Sequence, residues 1–208
     1  MDGAARGLWI IVLSGYPRSG KTTLAKKLVT ENPYFARVGV DELREMLFGE
    51  VYPCRDEFLA YSLIGEIRDA LLERGYSAVI DSTAPDNVTR EFLLATKVKH
   101  VNRLLVFLDV DRQILVARNI DRFGDASPVL AWEKRWQKPK GRIPIFKFRN
   151  NNTEDFNIYY ARLKEVLQSE IHPFKPEFRP PPLSIQEIRE TLRNFLARAK
   201  MNEKIGLE

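Results

Sequence analysis

The stretch Leu8-Trp9-Ile10-Ile11-Val12-Leu13-Ser14-Gly15-Tyr16-Pro17-Arg18-Ser19-Gly20-Lys21-Thr22-Thr23 decides the fold. Its opening apolar run predicts a strand buried on both faces, the kind found inside parallel sheets. Gly15 to Thr22 then matches the phosphate-binding P-loop pattern, and it stands where that mechanism needs it, between a strand and a helix expected over about 20–30. Backbone N–H groups of such a loop and of the helix N-terminus point at phosphate oxygens. Gly15 and Gly20 permit the tight curvature, Lys21 reaches the β and γ phosphates, and the Thr22 hydroxyl is offered to Mg²⁺. Tyr16, Pro17, Arg18, Ser19 and Thr23 complete the nucleotide-binding segment.

Outward from this unit, strands alternate with helices. Arg37 to Val40 reads as a second strand, followed by helices over about 41–48 and 55–74. Ser77 to Asp81 reads as a third strand, 85–99 as a helix, 103–109 as a fourth strand, 111–123 and 127–137 as helices, and 145–149 as a fifth strand. A last helix opens at Asn152 or Thr153 and runs to about Ser169. Alternation of this kind implies crossover units and a parallel sheet packed on both faces. The expected class is α/β, a P-loop NTPase with a five-stranded parallel sheet flanked by helices. The domain is expected over 1–171, with a helical lid at about 118–142. Residues 172–183 carry Pro173, Pro176, Pro180, Pro181 and Pro182 and read as a linker. Over 184–208 a C-terminal helix is expected, with Ile185, Ile188, Leu192, Phe195, Leu196 and Ala199 on one face.

Composition narrows the function classes. Hydrophobic residues are 44% and charged residues 29% of the 208, ordinary globular usage that excludes collagen-like and coiled-coil readings. The net charge of +5 and pI near 9.3 suit an anionic partner. Cys54 is the single cysteine and His100 and His172 the only histidines, so neither an internal disulfide nor a Cys/His zinc site is supported. Leu8 to Leu13 is too short to span a bilayer, and no leader pattern is visible. A cytoplasmic protein without a membrane partner is expected.

Further candidates lie at strand ends. Asp81 closes the apolar strand Ala78-Val79-Ile80, placing a carboxylate at the carboxyl edge of the sheet, where Mg²⁺ and phosphates bind in open α/β folds. Asp81 and Thr83 also suit a plain turn. Asp109 and Asp111 read as structural, Asp111 as a helix cap. Asp41 follows the second strand with Arg44 three residues on, so a base and a cation share one helical face. Asp41 as a simple N-cap is the alternative. Ten cations against three anions lie between Arg112 and Arg149, a local excess of seven, with Arg118 and Arg122 placed to stabilise phosphoryl charge. Trp132 and Trp136, four apart, read as core packing.

The segments GYPRSGKTT (Gly15 to Thr23), VDELREML (Val40 to Leu47), VIDSTAPDNVTR (Val79 to Arg90) and VARNIDR (Val116 to Arg122) together resemble a known group. It comprises the P-loop kinases that contain the 5′-kinase domain of polynucleotide kinase and the L-seryl-tRNA(Sec) kinase, with zeta toxins more distant. The resemblance covers about residues 8–170. It implies an ATP- and Mg²⁺-dependent kinase acting on a nucleic-acid hydroxyl, either a polynucleotide 5′-OH or an aminoacyl-tRNA. It implies Asp41 as general base, Arg44 as an acceptor ligand, and Arg118 and Arg122 as lid arginines; Asp41 and Thr83 are further acceptor-binding candidates. One departure stands out: Asp81-Ser82-Thr83-Ala84 replaces the usual Asp-Thr-Asn. A small-metabolite kinase shares the same parts. A nucleotide-dependent switch or assembly factor needs the loop and the metal ligands but no acceptor base.

Overall fold

Leu8–Ser14 is buried along its whole length as strand β1, and its alternating side chains feed two cores. Leu8, Ile10 and Val12 point to one face, Trp9, Ile11 and Leu13 to the other. The computed structural model describes residues 7–140 and 144–169. Strands β2 (Phe35–Gly39), β3 (Ser77–Asp81), β4 (Val101–Asp109) and β5 (Ile145–Arg149) complete one sheet in the order β2-β3-β1-β4-β5. Every pair is parallel.

Among the described residues seven helices cover the two faces: α1 (Lys21–Glu31), α2 (Val40–Phe48), α3 (Glu57–Glu73), α4 (Asn87–Leu94), α5 (Arg112–Phe123), α6 (Ser127–Glu133) and α7 (Thr153–Ser169). Leu43, Leu63, Ile64, Leu72 and Leu93 pack from α2, α3 and α4 on one side. Leu24 and Leu28 of α1 and Tyr160 and Leu163 of α7 pack on the other. Each such large apolar side chain contributes about 1.5–3 kcal/mol when fully buried. The expected α/β class and parallel sheet therefore stand. Among the described residues no helix is long and apolar enough to cross a membrane. The proline-rich linker and the terminal helix lie outside the described residues.

Several boundaries differ from expectation for local reasons. The helix expected over 85–99 occupies only Asn87–Leu94. Asp86 caps it by accepting from the Thr89 N–H at 2.7 Å. Past its end, Thr96 Oγ1 donates to Asp69 and accepts from the Val98 N–H, a side-chain turn that displaces further helix. β4 begins at Val101, earlier than expected, because it pairs with β1 from Leu8 onward. β2 gives up Val40 to α2. α6 ends at Glu133 instead of Gln137 because the following chain is drawn onto α4. There the Gln137 N–H donates to Pro85 O at 2.9 Å. Asp111 heads α5 but makes no capping bond, a correction to the cap reading. Its Oδ2 instead accepts from Asn151 Nδ2 at 2.7 Å.

Arg90 of α4 ties this arrangement together. It is 2% exposed and donates to Ser14 Oγ, Ala84 O, Pro85 O, Asn87 Oδ1 and Gln137 O. Burial pushes its guanidinium down to about 10. Removing it strands several buried carbonyls, each costing about 1–3 kcal/mol. Arg90→Ala is therefore expected to cost about 3 kcal/mol, read as a fall in Tm of roughly 10 °C. A fall within 2 °C of zero would contradict this role.

Candidate active site

The phosphate loop is built on two left-handed residues, Arg18 at φ 63° and Gly20 at φ 98°. A Cβ at Gly20 would collide with Asn150 Nδ2, which donates to Ser19 O at 2.7 Å. Asn150, just after β5, thus closes against the loop from below, while Asn119 of α5 donates to Pro17 O at 3.1 Å. Tyr16 stacks on Trp136, centroids 4.4 Å apart. α1 starts at Lys21 with neither a side-chain cap nor an acidic residue in its first turn, so its leading amides and its dipole favour an anion. Ser19 Oγ is buried without a partner.

Lys21 Nζ donates to Gly15 O and Tyr16 O, each at 2.9 Å. Burial pushes its ammonium down to about 8, opposed by the carboxylates of Asp81 and Asp41. Phosphate oxygens favour the charged amine, so nucleotide binding must restore a proton wherever the free protein has lost it. The sign follows: Kd for ADP stays flat below pH 8 and rises above it, by up to about tenfold per pH unit, with proton uptake visible by calorimetry. A Kd unchanged between about pH 7 and 9.5 would exclude this coupling.

Arg18 and Arg118 add to the anion field. Arg118 Nη2 donates to Asn151 O at 2.9 Å, and both burial and the neighbouring Arg18 push its guanidinium downward. Two cations facing one cleft suit an anion between them.

Across from the loop, Asp41 sits in the first turn of α2, whose N-cap is Gly39. Its carboxylate caps nothing. It accepts from Arg44 Nη1 at 2.9 Å, and Arg44 Nη2 bonds both oxygens of Glu57 at 2.6 and 2.9 Å. The Asp41 side chain is 62% accessible, yet crowding by the cleft walls still outweighs Arg44 and Lys21 and raises its carboxyl above the usual aspartate value. Asp81 is buried at the end of β3. Its Oδ2 accepts from Arg37 Nε at 3.0 Å and Nη2 at 2.6 Å, and Arg37 also pairs with Glu42.

One cleft of about 1200 Å³ gathers Pro17, Arg18, Gly20, Lys21, Thr22, Thr23, Asp41, Arg44, Asp81, Thr83 and Arg118. Gly15, Tyr16 and Ser19 lie outside its lining and shape the loop from behind. Arg122 also lies outside the lining, exposed in the last turn of α5, where its charge faces the helix dipole. The basic stretch is less exposed in charge than its sequence count. Lys147 pairs with Asp109, Arg149 with Asp111 and Asp155, and Arg112 with Glu133. Sequence reasoning missed Arg37, Glu57, Tyr52, Asn119 and Asn150. Trp132 lines the cleft, whereas Trp136 packs beneath the loop as expected.

The donors suit Mg²⁺, since Thr22 and Asp81 are hard oxygen ligands that both line the cleft. Among the described residues no group of three or more His, Cys, Asp or Glu is placed to hold a metal.

The model of the AAA_33 family, described as an AAA domain, matches residues 10–143, more than half of the chain. The chain belongs to that family. No curated protein matches it. Its fold is shared by a gluconokinase from Sinorhizobium meliloti 1021, at TM-score 0.56 and 19% identity over 79% of this chain and 99% of that one. Kti12 of Chaetomium thermophilum, in complex with ADP-AlF3, gives 0.57 and 16% over 76% and 98%. The APS kinase CysC of Mycobacterium tuberculosis, in complex with AMPPNP and APS, gives 0.59 and 18% over 79% and 99%.

Proposed function

We infer that the chain is an ATP-dependent kinase that transfers the γ-phosphate to a hydroxyl group. The observation that carries this reading is the placement of Lys21 and Asp41 in one cleft, close enough for each to shift the other's ionisation. Kti12 with ADP-AlF3 and the APS kinase with AMPPNP hold nucleotides in this fold, which supports ATP as donor.

Loop amides, Lys21, Arg18 and Arg118 bind and orient the donor phosphates. Asp41, held by Arg44, orients the acceptor hydroxyl and takes its proton. As the new O–P bond forms, the bond from the γ phosphorus to its bridging oxygen breaks, and ADP leaves with the electron pair. Thr22 and Asp81 would hold Mg²⁺, which when bound would offset the negative charge of the phosphates. Arg37 fixes the Asp81 carboxylate through two bonds to Oδ2, keeping its orientation toward the cleft.

Two acceptor classes fit this chemistry. A small hydroxyl compound is favoured by the ion pairs that neutralise Arg112, Lys147 and Arg149, and by Arg44 being already engaged with Asp41 and Glu57. A nucleic-acid acceptor is favoured by Lys134, Lys138 and Lys140, all exposed along the segment after α6. Salt separates them. A single strand loses affinity with a log-log slope of roughly 0.7 per neutralised phosphate, whereas a small neutral alcohol shows almost none. A protein that hydrolyses ATP slowly yet phosphorylates no hydroxyl in either class would be a switch factor instead.

A further inference from the structure

Asp41 and Arg44 line the cleft, and the third member of their group, Glu57, stands behind them outside the lining. Glu57 opens α3, one residue after Asp56, which caps the helix by accepting from the Leu59 N–H at 2.8 Å. That cap fixes the helix start from which the Glu57 carboxylate projects. Its two oxygens both accept from Arg44 Nη2, at 2.6 and 2.9 Å. α3 holds the guanidinium a second time, since the Tyr61 ring centroid lies 5.7 Å from its Cζ. The Arg44 side chain is 10% accessible, and its Nε is buried without a partner. What reaches Asp41 is a single bond, Nη1 to Oδ1 at 2.9 Å. Among the described residues nothing donates to Asp41 Oδ2.

We propose that Glu57 is a positioning residue for the acceptor base: by occupying Arg44 Nη2 it limits Arg44 to one oxygen of Asp41 and keeps Asp41 Oδ2 open to the acceptor hydroxyl. The proposal rests on the kinase reading for the proton step but not for the geometry. An arginine beside a lone carboxylate favours the two-bond fork, which would engage both oxygens of Asp41 and leave it a poorer base. Three residues apart on one helix, Asp41 and Arg44 are always neighbours, so only a competitor from another element holds the fork off. Glu57 is that competitor. With Oδ2 open, it takes the hydroxyl proton while the hydroxyl oxygen's electron pair forms the bond to the γ phosphorus, and ADP departs with the electrons of the broken bond. A plain surface ion pair is the alternative for a residue whose side chain is 46% accessible. Such a pair would contribute modestly to stability and leave turnover alone.

The test uses the full chain carrying Glu57→Ala or Glu57→Gln, with ATP and Mg²⁺. The acceptor probes are gluconate and a short oligonucleotide with a 5′-hydroxyl, and the kinetics follow whichever the wild type phosphorylates. Glu57→Ala should lower kcat about tenfold or more, with Kd for ADP unchanged and KM for the acceptor within about twofold. Glu57→Gln, whose amide oxygen still accepts one bond from Nη2, should fall between that variant and the wild type, and it remains informative if the alanine variant fails to fold. The effect should also run through Arg44: in an Arg44→Met background, adding Glu57→Ala should lower kcat by no more than about twofold further. Normal kcat in Glu57→Ala with only Tm reduced would overturn the proposal, as would a loss of equal size with and without Arg44. A crystal structure of Glu57→Ala decides the geometry independently of turnover. Arg44 donating to both oxygens of Asp41 is the expected result, and a single bond to Oδ1 with Oδ2 still open would overturn the proposal. If the wild type phosphorylates neither probe, the kinase reading fails by itself, and the crystal structure still decides whether Glu57 holds the fork off.

Discussion

Replacing Lys21 by alanine is expected to lower phosphoryl transfer by about a thousandfold or more while Tm changes little. On the kinase reading proposed above, the ammonium would face the developing phosphoryl charge in a site partly withdrawn from water, where a single charged donor is worth several kcal/mol to the transition state. Its structural contribution is small by comparison. Nζ bonds only two loop carbonyls, and its depressed ionisation shows that burial opposes the charge in the free protein. Rates in single turnover, with folding followed by circular dichroism, check both halves. Full activity in this variant would remove Lys21 from the mechanism.

Asp41→Asn is expected to reduce kcat by about a hundredfold to ten-thousandfold with nucleotide Kd nearly unchanged, because a base acts on the acceptor and helps mainly in the transition state. The N-cap reading predicts a loss of about 1 kcal/mol of stability and normal turnover. The structure separates the two readings in advance, since Gly39 is the N-cap of α2 and Asp41 makes no capping bond. What remains is a first-turn carboxylate worth about 0.3–1 kcal/mol against the helix dipole. Because its carboxyl ionises above the usual aspartate range, activity should fall on acidification at a higher pH than an ordinary aspartate would give. The asparagine variant should lose that acidic limb.

How much of this was legible before the structure depended on whether a feature was local. The buried run from Leu8 to Ser14, the glycines of the loop and the polar first turn of α7 each announce themselves within a few residues, and the corresponding elements stand where the periodicity put them. Arg37 gave no such signal. It reads as an ordinary strand residue, and only the parallel pairing of β2 with β3 brings it beside Asp81, far away in sequence. Glu57 likewise meets Arg44 only because α3 folds back along α2. Trp132 and Trp136 share a helical spacing that suggests a common fate, yet the chain leaves helix after Glu133. One ring then lines the cleft and the other lies under Tyr16. The charge count over Arg112 to Arg149 overstated the field because the neutralising Asp109, Asp111 and Asp155 lie just outside that window.

The most direct measurement of the central claim follows the label of γ-³²P ATP in single turnover with a mixture of nucleosides, a 5′-hydroxyl oligonucleotide and simple polyols. With the wild-type chain the label should appear in a phosphate ester, and with Asp41→Asn that ester should fall at least a hundredfold while ATP remains bound. Label released only as inorganic phosphate, at equal rates from both proteins, would contradict the assignment of Asp41 as an acceptor base and of the cleft as a kinase site.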